Sequence, residues 1–438
     1  VIAGQDGAKL AAWRVQPRLE GRRQEERRTV MSVQTTLQRE TPPRILPYPV
    51  YDADGHLYET KDAFLRHMPP KYRKEFQYVL VNGRTKLAIG GHISEYIPNP
   101  TFDVVAYPGS HELWYRGQNK EGLSLRELTG DPLLIQPAFQ NGEARLKLLD
   151  EQGIYAQLIY PTLASAIESR MNYDHELMAA VLHSLNQWTL EEWGFNREGR
   201  IFAAPMISLA DPNLACQELE WALANGAPMI SLRPAPVPGY RGSRSLGSPE
   251  FDPFWARVNE AGIFVVLHVS DSGYDEIYRW WTGGGSGEML AFDRSDPLKM
   301  AIDSSGRAIH DTLSSLIAHG VFDRHPNIRI VSAENGSTWL PHLIHMLNRA
   351  YGQLPKGFKR HPVEALREHV YIAPFYEENL TLLKELIGID RMLFNSDYPH
   401  PEGLRRPLDF LDEMHGFSDA ETQKVVSTNL KGLLEGAR

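Results

Sequence analysis

Short, unbroken apolar runs recur along this chain, and most give way to the three-and-four spacing of an amphipathic helix. The runs at Val50–Asp54, Ala156–Tyr160, Ile201–Ile207, Met229–Leu232, Ile263–His268, Ile328–Ala333, Val370–Ala373 and Met392–Asn395 predict strands. The helical spacing covers Ala144–Gln152, His175–Gly194, Leu214–Ala224, Pro253–Ala261, Ile309–Val321, Trp339–Tyr351, Glu377–Ile387 and Pro407–His415. Strands rich in Val, Ile, Leu and Phe without clean alternation are buried on both faces, as in a parallel sheet covered by helices. Strand-then-helix units in series predict an α/β chain folded as a (β/α)₈ barrel of the TIM type. An open doubly wound sheet would carry a Gly-rich phosphate turn after its first strand, and none follows Val50–Asp54.

Two stretches interrupt the rhythm. Residues 60–140 follow the first strand and residues 270–305 follow the fifth, the latter containing Trp280 and Trp281. Insertions of this length are usually functional, and in a barrel both would stand at the catalytic face. Residues 1–30 precede Met31, show no sustained periodicity and read as a flexible arm or as translated sequence upstream of the true start; the N-terminal arm is taken as residues 1–40, leaving residues 41–438 as one domain.

Composition narrows the function classes. The chain has 438 residues, 42% hydrophobic and 23% charged, with net charge −9. That balance supplies a large core and excludes the basic stripe a nucleic-acid surface needs. The arginines at 14, 18, 22, 23, 27 and 28 are interleaved with Glu20, Glu25 and Glu26. A single cysteine, Cys216, excludes an intrachain disulfide and a thiolate cluster, which points to a reducing, cytoplasmic setting. No run of about 18 apolar residues is present, so no membrane span is expected.

Ionisable residues gather at the predicted strand ends. On an ideal strand Asp52, Asp54 and His56 share one face, and three such groups are costly to bury unless they are paired or bind a cation. A hydrogen-bonded turn is the alternative role for this stretch. His268 ends the most apolar strand, Asp397 follows Met392–Asn395, and Glu334 follows Ile328–Ala333. Taken one at a time they read as a satisfied histidine, an Asx turn before proline and a paired carboxylate. In a closed barrel, however, the ends of strands one, five, six and eight meet at one mouth. Mixed imidazole and carboxylate donors there suit zinc, manganese or iron better than calcium.

These residues also carry a resemblance. Asp52-Ala53-Asp54-Gly55-His56, Leu267-His268, Ser332-Ala333-Glu334-Asn335-Gly336 with Trp339-Leu340-Pro341, and Asn395-Ser396-Asp397-Tyr398-Pro399-His400 resemble motifs of the amidohydrolase superfamily. The similarity is to the branch containing aminocarboxymuconate-semialdehyde decarboxylase and aromatic-acid decarboxylases. It implies that Asp54, His56, His268 and Asp397 bind one divalent transition metal, with Asp397 also a general base. It further implies a metal-dependent hydrolase or decarboxylase acting on a small carboxylated molecule. The chain departs from the branch in carrying Glu334 where relatives carry histidine after strand six. Glu334 and His400 are candidate proton-transfer groups. Asp52, Glu334, His400 and His310 would either orient the first ligands or complete a second metal site, the latter as in a dinuclear iron or manganese/iron oxygenase. Loss of the strand-six histidine also fits a non-catalytic partner of an active homologue. Arg233, just after the fourth strand, is a candidate clamp for a substrate carboxylate, with Trp280 and Trp281 closing the site. A homo-oligomer is expected, with a hetero-oligomer containing a homologue as the alternative.

Overall fold

Seven of the predicted strands form in the computed structural model, which describes residues 44–94, 99–282, 296–302 and 304–436. The arm expected at residues 1–40 lies outside the described residues, as do 283–295 of the second long excursion. The parallel strands are β1 (Tyr51–Leu57), β2 (Ala156–Pro161), β3 (Ile201–Ala203), β4 (Met229–Leu232), β5 (Phe264–His268), β6 (Ile330–Ala333) and β7 (Val370–Ile372). The helices that follow them are α1 (Gly142–Gln152), α2 (His175–Glu192), α3 (Pro212–Ala224), α4 (Asp252–Ala261), α5 (Ser304–Ala318), α6 (Leu340–Gln353) and α7 (Leu380–Ile387). Local sequence sets where they begin. Asn141, Asp174, Asp211 and Asn379 each accept hydrogen bonds from first-turn amides of α1, α2, α3 and α7.

The strands form two parallel ladders, β1–β2–β3 and β4–β5–β6–β7. Backbone hydrogen bonds link them on both sides. Ser231 N donates to Pro205 O (2.9 Å) and Ile207 N to Ser231 O (3.0 Å), joining the chain beyond β3 to β4. Leu393 N donates to Ile372 O (2.9 Å), Ala53 N to Phe394 O (2.8 Å) and His56 N to Tyr398 O (2.9 Å), so residues 392–398 lie between β7 and β1.

Two expected strands are shorter than the pattern implied. Ile201–Ile207 keeps ladder pairing only to Ala203, because Pro205 has no N–H to offer a neighbour. Met392–Asn395 makes only an isolated bridge, Ile372 to Met392, and Phe394 N turns to Val425 O (3.1 Å) instead of continuing a ladder. The expected last helix, Pro407–His415, is a 3₁₀ turn over Pro407–Glu413.

Alternate strand residues separate two apolar layers. Tyr51, Ala53, Ala156, Leu158, Tyr160, Phe202, Phe264, Val266, Val331 and Ala333 pack with one another on one face. Ile159, Ile230, Val265, Leu267 and Ile330 pack on the other with helix residues such as Leu149, Leu185, Leu219, Val258 and Leu343. His268 continues the row of Phe264 and Val266 and is buried at its end. Within residues 60–140, an antiparallel sheet of Phe76–Val81, Arg84–Ile89 and His92–Ser94 turns through Asn82-Gly83. Both turn residues have positive φ (50° and 76°), the conformation a two-residue hairpin demands.

Candidate metal centre

β1 supplies the first donors, and its register explains which ones. Asp52 lies opposite Gln157, but Gly55 lies opposite Ile159 and His56 opposite Tyr160. One residue is therefore inserted between Asp52 and Gly55, and such a bulge turns everything after it to the other face. The expectation that Asp52, Asp54 and His56 face the same way fails here. Asp52 sits with Gln157, where its carboxylate accepts from Gln157 Nε2 (2.8 Å), Ser396 N (3.0 Å), Ser396 Oγ (2.6 Å) and Asp54 N (3.2 Å). Burial pushes its carboxyl up to about 7 despite these bonds. Its work is to bind the end of strand eight to β1.

Asp54 and His56 face the strand ends and meet the other donors. His56 Nε2 lies 3.3 Å from Asp54 Oδ1, 3.3 Å from Glu334 Oε2 and 3.4 Å from Asp397 Oδ1. His268 Nε2 lies 3.2 Å from Glu334 Oε2 and 3.7 Å from Asp54 Oδ1. Asp397 Oδ1 is 2.9 Å from His400 Nδ1, and the His400 ring stacks on His56 with centroids 3.8 Å apart. Two overlapping donor groups result: Asp54, His56, His268 and Glu334, and His56, Glu334, Asp397 and His400. Glu334 thus takes the fourth place in the first group, which the sequence reading gave to Asp397. Both carboxylates are held at φ 53°, a left-handed conformation uncommon for residues with a side chain. Asn335 stabilises the Glu334 turn by donating to Leu267 O (2.8 Å) and Ala333 O (2.7 Å). Gly403 packs against the Asp397 turn, and a Cβ there would lie 2.5 Å from Asp397 O.

The donor atoms satisfy three requirements of a metal site. First, they lack other partners: Asp54 Oδ1 and Oδ2, His56 Nε2, His268 Nε2, Asp397 Oδ1 and His400 Nδ1 are buried and make no hydrogen bond. Buried polar atoms are rarely left so. Second, the spacings match a coordination shell. With bonds of about 2.1 Å, neighbouring donors stand about 3.0 Å apart if octahedral and about 3.4 Å apart if tetrahedral. Third, the charges favour a cation. Burial and the charge of Glu334 push Asp397 well above the carboxylate range. Burial opposes charge on His56, yet Asp54 and Glu334 outweigh it and push the imidazole up to about 10, so that a proton occupies the place of a positive ion. Burial likewise opposes charge on Asp54, and there His268 and His56 outweigh it and hold the carboxyl below its ordinary value.

The other expected site residues have surroundings of their own. Arg233 is buried and its donors are engaged: Nη1 bonds Asp271 O (3.1 Å) and Nε lies 3.7 Å from Glu168 Oε1. Trp280 and Trp281 stand on the helix Asp275–Thr282, each 73% exposed. His310 belongs to neither donor group. It pairs with Asp311 through Nδ1 (2.8 Å) and with His342 through Nε2 (3.2 Å).

Sequence reasoning missed the groups behind the donors. Arg145 of α1 is fully buried and donates to His56 O (2.6 Å), Gln157 Oε1 (2.8 Å) and Ala138 O (2.7 Å). The signal was present: Arg145 falls on the apolar face of α1 with Leu146 and Leu149, where an arginine must find partners. Tyr160 packs its ring 4.4 Å from that of His268, centroid to centroid. Thr162 reaches His400 Nε2 at 2.9 Å.

The amidohydrolase model Amidohydro_2 matches residues 137–429. The chain belongs to the amidohydrolase family. This amidohydrolase is similar in structure to one from Mycobacterium avium subsp. paratuberculosis K-10. The two share 42% identity at a TM-score of 0.84, covering 89% of this chain and all of the other. In sequence it is 26% identical over 314 residues to gamma-resorcylate decarboxylase of Rhizobium radiobacter, covering 67% of this chain and 86% of that enzyme. It shares its fold, at 18% identity and a TM-score of 0.53, with a dihydroxybenzoic acid decarboxylase from Polaromonas sp. JS666. That match covers 89% of this chain and 98% of the relative, which was solved with bound manganese and the inhibitor 2-nitroresorcinol. The His, Asp and Glu cluster of this amidohydrolase can likewise bind a divalent metal. Among the described residues no helix is long and apolar enough to cross a membrane.

Proposed function

We propose that this amidohydrolase is a metal-dependent decarboxylase of a small hydroxylated aromatic carboxylic acid, built on a closed (β/α)₈ barrel spanning residues 41–438. The observation that carries the reading is the set of buried, unpartnered donors on Asp54, His56, His268, Asp397 and His400, which fall into two overlapping groups that share His56 and Glu334. The names of the relatives supply the substrate class. The backbone bonds that run from β3 to β4 and from β7 through residues 392–398 to β1 support the closure.

Asp54, His56, His268 and Asp397 would hold a divalent transition metal. When bound, it supplies a positive charge that anchors the acid's oxygens and stabilises negative charge on the ring. His56 Nε2 has one lone pair and stands within 3.4 Å of Asp54, Glu334 and Asp397 alike, which favours one ion over two. His268 donates Nδ1–H to Val269 O (2.9 Å), leaving its Nε2 lone pair for the centre. Glu334 has the most exposed side chain of the first donor group, at 15%, and so borders the accessible side. It would carry the proton. The ring carbon bearing the carboxylate takes that proton, the bond to the carboxylate carbon breaks, its electron pair returns to the ring and CO₂ leaves. Solvent then restores the proton to Glu334.

A panel of hydroxylated benzoic acids, incubated with the manganese-loaded enzyme, tests this directly. Stoichiometric CO₂ and the matching phenol are the expected products, lost in Glu334→Gln. Turnover of esters, lactones or amides without CO₂ would overturn decarboxylation in favour of hydrolysis.

A further inference from the structure

Thr162, outside the donor groups, touches His400 on the side of its ring away from Asp397. The Thr162 hydroxyl lies between two polar atoms: it is 2.8 Å from Leu57 O and 2.9 Å from His400 Nε2. It has one proton to donate. Leu57 O is a carbonyl oxygen and can only accept, whereas His400 Nε2 donates or accepts according to its tautomer. If Thr162 donated to His400, that carbonyl would lose the hydroxyl it accepts from. The hydroxyl therefore donates to Leu57 O, and its oxygen accepts a proton from His400 Nε2.

The opposite side of the ring points the same way. His400 Nδ1 is 2.9 Å from Asp397 Oδ1, close enough for a hydrogen bond, yet neither atom makes one. A proton on Nδ1 would be misdirected for that carboxylate. Without it, two lone-pair-bearing atoms lie 2.9 Å apart with the nitrogen lone pair aimed past the carboxylate, a separation that a shared cation makes favourable and that is the edge length of a coordination shell.

We propose that Thr162 is a positioning residue that fixes His400 as its Nε2–H tautomer, so that Nδ1 joins Asp397 as a donor to the metal. Glu59 holds Thr162 in place from behind. Its carboxylate accepts from the amides of Leu163 (3.0 Å) and Ala164 (2.8 Å), the two residues that follow Thr162. The loop after β2, otherwise remote from the donors in sequence, thereby sets which nitrogen of a strand-eight histidine is available. This rests on the metal-centre reading above.

The test compares wild type, Thr162→Val and Thr162→Ser, each stripped of metal and titrated with Mn²⁺ while free Mn²⁺ is followed by electron paramagnetic resonance. Wild type should bind about one equivalent. Thr162→Val should bind roughly ten- to hundred-fold more weakly, the usual effect of removing a partner that orients a ligand. Thr162→Ser, which keeps the hydroxyl, should stay within about threefold of wild type. Pulsed resonance on protein labelled with ¹⁵N-histidine should count three coordinated histidines in wild type and Thr162→Ser, and two in Thr162→Val. Circular dichroism checks that each variant is folded, and a misfolded Thr162→Val leaves the histidine count in wild type and Thr162→Ser to decide. Two coordinated histidines in wild type, or unchanged affinity in a folded Thr162→Val, would overturn the proposal while leaving the metal centre standing. No Mn²⁺ binding by wild type would instead overturn the metal centre itself.

Discussion

Replacing Arg145 with methionine perturbs the centre from behind without touching a donor. Methionine keeps the length of the stem but removes the donors to Ala138 O, Gln157 Oε1 and His56 O. Leaving a buried acceptor unpaired costs roughly 1–3 kcal/mol, so three cost about 6 kcal/mol. Against this stands relief from burying a cation: burial pulls the guanidinium from its ordinary value down to about 10. That drop corresponds to about 3 kcal/mol which methionine would not incur. The difference predicts a net loss of about 3 kcal/mol. Unfolding entropy of about 2.1 cal/mol/K per residue over roughly 400 residues is about 0.8 kcal/mol/K, so the midpoint should fall by about 4 °C. Differential scanning fluorimetry of the metal-free protein reads that shift. Because one lost bond is to the His56 carbonyl, metal affinity should fall by at least about tenfold in the same variant. Arg145→Lys, which keeps the charge but not the three-way fork, should land between. An Arg145→Met variant with unchanged midpoint and unchanged metal affinity would refute the claim that this network supports His56.

Four further outcomes are expected. Gly403→Ala should abolish metal binding and activity, because its Cβ would lie 2.5 Å from Asp397 O and 2.6 Å from Ser396 O. Gly432→Ala, on a helix where a Cβ meets nothing within 4 Å, should raise stability in the same melting assay by about 0.5–1 kcal/mol. Burial and the neighbouring Glu378 push Glu377 up to about 7 in the folded protein, from an ordinary 4.5. Its contribution to stability is thus full below about pH 4.5 and lost as pH rises through about 7, at most about 3 kcal/mol, and Glu377→Gln should flatten urea-unfolding profiles across that window. Trp280→Ala and Trp281→Ala should leave the Michaelis constant for a turned-over aromatic acid unchanged, as both rings face solvent; a several-fold rise would return them to the substrate site.

The repeating apolar runs were enough to place the strands, because burial on both faces writes a signal into consecutive residues. The donors were legible for a related reason. Asp54, His56, His268, Glu334 and Asp397 each follow or interrupt such a run, where an ionisable group stands out. What the chain did not reveal depends on contacts between distant segments. The bulge that parts Asp52 from Asp54 is a mismatch of register between β1 and β2, and neither strand shows it alone. Pro205 could have warned that the third strand stops early. Thr162 carries no signal at all, since a threonine after a strand is ordinary until Leu57 and His400 are found beside it. Arg233 is ambiguous in the chain because a guanidinium at a strand end is equally suited to a substrate carboxylate and to the Glu168 and Asp271 groups it meets.

Metal content measured by elemental analysis, with protein quantified in parallel, tests the centre most directly. Wild-type protein reconstituted with manganese and freed of excess should hold about one equivalent per chain, and His268→Ala should hold almost none. No stoichiometric metal in the wild type, or an equal amount in the variant, would contradict a centre built on Asp54, His56, His268 and Asp397.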